Sequence, residues 1–277
     1  MGGTVPERGW GTRPAITVLS ALALGAVCVT TTQADAATTA TSTSEQQAMS
    51  SWVSQQLAGM TLEQKVGQLF MTYVHGTAAN QADPANKSEF GVDTPAEVVQ
   101  KYHLGGVIYF ANSTVNNLIN PTQIAELSNG LQGAALASGA HLPLEISTDQ
   151  EEGIVTRIGS PATVFPGNMA IGAGRRTDDA RKAADITGHE LRAMGINVNN
   201  APDADVNSNP ANPIIGVRSF AGDPTLAASM DSAAVDGYQD SDRPDKVVSA
   251  TAKHFPGHGD ASTDSHTSLP IINHTKQ

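Results

Sequence analysis

Two kinds of apolar pattern alternate along this chain. Over residues 46–57, 95–102, 121–137, 178–194 and 223–238 the apolar positions return at helical spacing, which gathers them on one face of a helix. Between them lie short apolar runs at 105–110, 142–148, 196–206 and 247–254, which read as strands, the third passing into a loop, while the run 66–71 follows a helix-start signal. Several helix starts carry their own signals. Thr61 and Gln64 have the spacing of a capping box, and Thr94 precedes Pro95, whose missing N–H costs nothing in a first turn. Asp223 stands where it would cap the helix that follows.

Strands separated by helices of this length indicate repeated βα units and a parallel sheet. Right-handed crossovers leave two closures, an open doubly wound sheet or a (β/α)8 barrel. No glycine-rich phosphate fingerprint follows the first strand, which weakens the nucleotide-binding sheet. Asp149, Asp203, Asp205, Lys253 and His254 all fall at C-terminal strand ends, where barrel enzymes build their sites. The expected fold class is therefore α/β, a (β/α)8 TIM-barrel-type domain. With five or six strands in 277 residues it is expected to be incomplete at the C-terminus, leaving apolar edges exposed.

The N-terminal segment reads differently. Arg8 and Arg13, the apolar stretch 15–29 and Ala34-Asp35-Ala36 make residues 1–36 a secretory signal peptide. The apolar stretch falls short of the roughly 20 residues that span a bilayer. Residues 37–47 are then a flexible polar linker, and 48–277 the folded domain. Secretion, with no membrane attachment after cleavage, is the expected localisation.

A formal charge of −11, from 16 basic and 27 acidic residues, argues against nucleic-acid or anionic-membrane partners and suits neutral ligands. Cys28 is the only cysteine and leaves with the signal. The mature chain then has no disulfide, Cys–zinc site or thiol nucleophile, and its stability must come from burial.

The chemistry concentrates in residues 253–266, which hold Lys253, three imidazoles (His254, His258, His266) and two carboxylates (Asp260, Asp264). Pro256, Gly257 and Gly259 impose an irregular turn after the strand. Asp264 and His266 are two apart, so the carboxylate can accept the imidazole N–H and orient a ring that gives and retakes a proton. A zinc site built on His254 and His258 with the two aspartates is the rival reading, although Pro256 and Gly257 remove the helical face it would need. No metal or cofactor is expected. A second cluster, Asp149-Gln150-Glu151-Glu152-Gly153, ends a strand with Arg157 nearby; like charges so close imply that one faces a site and the others meet cations or water. A third holds Asp203, Asp205 and Arg218, with an Asp205–Arg218 pair expected to order a long loop. Asp205 is as readily structural as ligand-binding.

The run Lys253-His254-Phe255-Pro256-Gly257-His258-Gly259, with Asp264-Ser265-His266 on the same loop, resembles the signature of family 3 glycoside hydrolases, in their β-N-acetylhexosaminidase branch. Met60–Phe70 resembles the family's first helix and strand, and Gly105-Gly106-Val107-Ile108 its second strand. The resemblance implies that Asp149 holds sugar hydroxyls and that Arg157, Arg218, Lys253 and His254 line the −1 subsite. It implies that Asp264 and His266 form the acid/base dyad, in place of the second carboxylate of ordinary retaining enzymes. The nucleophile it implies is an Asp on a later strand, and no carboxylate follows His266 here. The family's Asp-Gln-Glu-Gly-Gly-Arg is Asp-Gln-Glu-Glu-Gly-Ile, with Glu152 and Ile154 as the departures.

The function so implied is an exo-acting retaining β-N-acetylhexosaminidase acting on terminal β-linked GlcNAc of cell-wall or chitin-type oligosaccharides. This chain would be a fragment without the nucleophile. The alternatives are a non-catalytic secreted sugar-binding remnant and a metallohydrolase. Hydrolysis and phosphorolysis are not separated by these residues.

Overall fold

The structure, a computed structural model, describes residues 31–240 and 247–272. The signal peptide expected at 1–36 lies almost wholly outside them. The chain divides into two units, up to Ser54 and from Gln55 onward. The first is represented by helix α1 (Thr31–Gly59), which ends inside the second. The stretch 37–47, expected to be a flexible linker, is helical as part of α1, although threonine and serine, weaker helix formers, make up most of it. Among the described residues no helix is long and apolar enough to cross a membrane.

The second unit alternates strands and helices. Its elements are α2 (Leu62–Gly67), β1 (Met71–Thr72), α3 (Pro84–Phe90), α4 (Pro95–Tyr102), β2 (Gly106–Ile108), α5 (Pro121–Leu136) and β3 (Glu145–Thr148). There follow α6 (Asn168–Ala173), α7 (Thr177–Ala193), β4 (Val198–Asn199), α8 (Pro224–Gln239) and β5 (Ser249–Ala250). The capping boxes at Thr61/Gln64 and Thr94/Glu97 form, and Asp223 accepts Leu226 N at 2.8 Å. Helix α3 was not expected. Its signals are local ones: Asp83 as N-cap, Pro84 at the first position and Gly91 in the left-handed conformation at its end.

All five strands are parallel and lie in sequence order, β1-β2-β3-β4-β5. An order without reversal is the winding of a barrel, since a doubly wound sheet needs a switch point. Val74, Val98, Val107, Ile124, Leu127, Leu131, Ile146, Ile196 and Val248 bury the seam between sheet and helices. A second cluster of Ala180, Ala184, Phe220, Met230, Ala234 and Tyr238 joins α7 to α8. These helices approach closely because Gly237 lacks a side chain; a Cβ there would lie 2.2 Å from Arg181 O. Apolar surface stays open beside β1, where Leu62, Val66, Phe70, Phe90, Tyr102 and Leu104 line a groove of about 740 Å³.

The strands are short, and amide side chains extend what their ladders begin. Asn197 Oδ1 accepts Ile146 N at 2.7 Å and its Nδ2 donates to Leu144 O at 3.0 Å. Asn199 does the same for Gln150, with its Oδ1 3.0 Å from Gln150 N and its Nδ2 2.9 Å from Gln150 O. Asn197 thus clasps the start of β3, and the buried Asn199 clasps its C-terminal end, where Asp149 emerges. Asn199→Ala should therefore cost about 2–4 kcal/mol, one to two for each backbone group left unpaired. Urea denaturation reads this as a lower midpoint at unchanged slope. A loss under about 1 kcal/mol would contradict it.

Candidate active site

Asp149, Arg157, Arg218, Lys253 and His254 are all brought to the C-terminal ends of the strands. Asp149 follows β3, and Lys253 follows β5, where a parallel bridge to Asp203 prolongs the ladder. Arg218 ends a turn of 3₁₀ helix, Gly216–Arg218, in the loop between β4 and α8. Arg157 lies in the loop after β3, its Nη2 3.8 Å from Asp149 Oδ2.

The residue that joins them is Glu151, whose side chain is 1% exposed. Lys253 Nζ stands 2.5 Å from its Oε1 and 3.0 Å from Asp149 Oδ1. Arg218 binds it with both prongs, Nε to Oε2 at 2.8 Å and Nη2 to Oε1 at 3.0 Å. The pairing expected between Asp205 and Arg218 is thus replaced: the planar guanidinium matches the Glu151 carboxylate two-on-two, and Asp205 turns to His254, with Oδ2 2.6 Å from Nδ1. Asp205 Oδ1 also accepts the backbone N–H of His258. Burial pulls the Asp205 carboxyl upward, but these bonds outweigh it and hold the group below its ordinary range.

Asp203 has the opposite balance. It is fully buried, and burial together with the neighbouring Asp205 charge pushes its carboxyl up to about 7 against the pull of Arg218. Arg218 Nε lies 3.4 Å from Oδ2, yet that oxygen makes no hydrogen bond. Arg218 is itself held above its ordinary value, since its bonds to Glu151 overcome the burial that would lower it. Ligand atoms of Asp203, Asp205 and His254 lie within 4.8 Å of one another. The cation among them is Arg218, whose Nη2 is 3.2 Å from His254 Nε2. The zinc arrangement considered for the 253–266 loop does not assemble: His254 faces Asp205, Asp260 accepts Ser208 Oγ at 2.9 Å, and Asp264 is taken by His266.

The dyad forms as a unit. His266 Nδ1 lies 2.7 Å from Asp264 Oδ1, which also accepts His266 N at 2.8 Å. These two bonds hold the half-buried Asp264 carboxyl below its usual range. His266 is 72% exposed, so its other nitrogen is open to solvent. Among the described residues no hydrogen bond or ion pair joins the dyad to Asp149, Lys253, His254 or Arg218.

The two departures in the loop after β3 also find a place. Ile154 is exposed, and Glu152 takes a left-handed φ of 71°, a conformation costing a non-glycine residue about 1 kcal/mol or more. Its buried carboxylate compensates by accepting Gln150 Nε2 at 3.0 Å, Thr187 Oγ1 at 3.2 Å and Phe165 N at 3.2 Å. Gln150 Oε1 in turn accepts the N–H groups of Arg157 and Ile158, both at 2.9 Å, locking the loop that presents Arg157. Glu151 is the site residue that sequence patterns did not single out from its cluster, and for Asp205 they gave the wrong partner. Their signal was burial, which a loop sequence does not display.

Asp203 gives the site a pH signature. Between its ordinary value of 3.8 and about 7 the folded chain holds a proton there that the unfolded chain has lost, so stability falls as pH rises through that window. Asp231, pushed by burial to about 7 as well, acts in the same direction. Asp203→Asn removes the Asp203 share: the melting temperature of the variant should rise relative to the parent as pH goes from 4 to 7. A difference that stays flat across that range would contradict the assignment.

Comparison with known proteins completes the picture. The chain is 41% identical over 225 residues to Beta-hexosaminidase A of Pseudoalteromonas piscicida, covering 78% of this chain and 36% of that protein. A solved family 3 β-N-acetylglucosaminidase from Paenibacillus sp. str. FPU-7 shares 47% identity at a TM-score of 0.68, over 79% of this chain and 37% of that one. A β-N-acetylhexosaminidase from Beutenbergia cavernae DSM 12333 shares 30% at 0.60, over 75% and 57%. This chain thus spans little more than a third of the first two. Residues 61–277 match the N-terminal domain of glycosyl hydrolase family 3, and the chain belongs to that family.

Proposed function

We propose that the protein is an exo-acting retaining β-N-acetylhexosaminidase that removes terminal β-linked GlcNAc from cell-wall or chitin-type oligosaccharides. The observation that carries this reading is the Asp264–His266 dyad at 2.7 Å, on the loop that also supplies Lys253 and His254 to a buried ionic cluster. Asp149, Arg157, Arg218, Lys253 and His254 hold the sugar hydroxyls of the −1 subsite. His266, with Nδ1 committed to Asp264, gives a proton from its other nitrogen to the departing glycosidic oxygen. It then takes one from the water that releases the sugar. Names of similar proteins, Beta-hexosaminidase A and a β-N-acetylglucosaminidase, support the substrate class. The features of residues 1–36 support action outside the cell.

The attacking carboxylate is proposed to come from elsewhere in the protein. Glu151 is held by Arg218 and Lys253, Asp149 by Lys253, and Asp205 by His254. Each of these carboxylates is thus already committed to a cation or an imidazole. Asp203, pushed up to about 7, carries a proton over much of the acid range. On this reading the 277 residues by themselves supply a GlcNAc subsite and an acid/base but no nucleophile.

In the full-length enzyme His266→Ala should slow hydrolysis of chitobiose by about 10²–10⁴-fold, the usual contribution of general acid–base catalysis. The loss should shrink on aryl β-GlcNAc with an activated leaving group, which departs without protonation. Equal losses on both substrates would remove His266 from the acid role. Titration of this chain with GlcNAc should show binding that Asp149→Ala abolishes; unchanged affinity would remove Asp149 from the subsite.

A further inference from the structure

His258 and the turn around it are not used by the proposed reaction, yet this turn is the most heavily fastened part of the loop. Asp205 accepts His258 N, and Asn212 Nδ2 donates to His258 O at 2.7 Å. Ser208 Oγ donates to Asp260 Oδ1 at 2.9 Å, and Asn209 N to Gly259 O at 3.3 Å. Gly259 sits so close to the 205–212 loop that a Cβ would lie 1.8 Å from Val206 O, and Ala261 is buried. Residues 258–261 are thus a platform stapled to the loop after β4.

Beyond Ala261 the character changes. The bonds of 264–268 are internal: Asp264 holds His266, and its carbonyl accepts Thr267 N and Ser268 N, both at 3.1 Å. Among the described residues one side-chain hydrogen bond ties this segment back to the platform, between His258 Nε2 and Ser265 Oγ at 2.9 Å. Ser265 stands between the two dyad residues, so fixing its side chain fixes the backbone of both. We infer that His258 is the positioning residue that holds the Asp264–His266 segment in register with the sugar-binding cluster.

The geometry behind His258 supports this role. One carboxylate, Asp205, places both ends of the linkage: Oδ2 on His254 Nδ1 at 2.6 Å and Oδ1 on the His258 backbone. The two rings stand edge to face with centroids 6.1 Å apart. His258 Nδ1 is buried without a hydrogen-bond partner. The tautomer protonated at Nε2 therefore donates to Ser265 and leaves at Nδ1 a bare lone pair, a cheaper omission than a buried unpaired N–H. Among the described residues no hydrogen bond joins the His258 ring to Asp264 or His266, so it acts on them through Ser265.

The kinetic part of this inference rests on the dyad being the acid/base; the tether itself does not. Backbone ¹⁵N relaxation on the 277-residue chain tests the tether. Ser265→Ala and His258→Ala should each lower the order parameters of residues 264–266 from about 0.85 towards 0.6 or below, while those of 253–256 stay unchanged. The double variant should show no further drop, and His258→Gln, whose amide can still donate to Ser265, should restore part of the order. Unchanged order parameters in Ser265→Ala would overturn the inference, and this variant leaves the platform intact even if His258→Ala unfolds. Kinetics on the full-length enzyme form the second arm. There both single variants should lower kcat on chitobiose by about tenfold or more, with KM little changed and the double variant no worse than either. Loosening of 264–266 without a kcat loss would leave the tether standing and reject the acid/base reading.

Discussion

The active-site half of this fold depends on keeping one buried carboxylate neutralised. Glu151 is almost fully removed from solvent, and an unpaired charge in such a place would cost several kcal/mol. Its partners come from far along the chain: Arg218 from the loop between β4 and α8, and Lys253 from the end of β5. Satisfying Glu151 therefore forces the ends of β3, β4 and β5 into one arrangement. The same two cations are left facing two further residues of the proposed sugar subsite. Lys253 reaches Asp149 as well as Glu151, and Arg218 reaches His254.

A second layer of polar groups sets this arrangement without touching a ligand. Asn197 and Asn199 clasp β3 to β4 by backbone bonds, and Gln150, steered by Glu152, fixes the loop that carries Arg157. Asp205 orients His254 and anchors the turn at His258. These groups are buried, or half-buried in the case of Asn197, and each makes more than one bond, so the proposed subsite is rigid in advance. Such preorganisation is what lets a few hydrogen bonds become useful affinity.

Much of this was legible in the sequence where the cause is local. Capping at Thr61 and Thr94 is a matter of spacing within four residues, and both boxes form. The Asp264–His266 pair likewise needs only a turn between neighbours. The parallel order of the strands followed from the alternation of patterns, and the placement of Asp149, Lys253 and His254 from their position at strand ends. What stayed hidden depends on partners distant in the chain. The choice of Glu151 over Asp205 as the mate of Arg218 is decided by which carboxylate lies in the plane of the guanidinium, and 67 residues separate the pair. Helix α3 was missed for a different reason: seven residues are too few for periodicity to speak, and only its capping residues mark it.

The central claim is that the Glu151 network presents a ready-made sugar site. A crystal structure of this chain with GlcNAc tests it most directly. The expected result is a sugar ring with its hydroxyls within hydrogen-bonding distance of Asp149, Lys253 and His254, and with the Glu151–Arg218 and Glu151–Lys253 pairs unmoved. A sugar bound away from these residues, or bound among them only after those two pairs have broken, would contradict it.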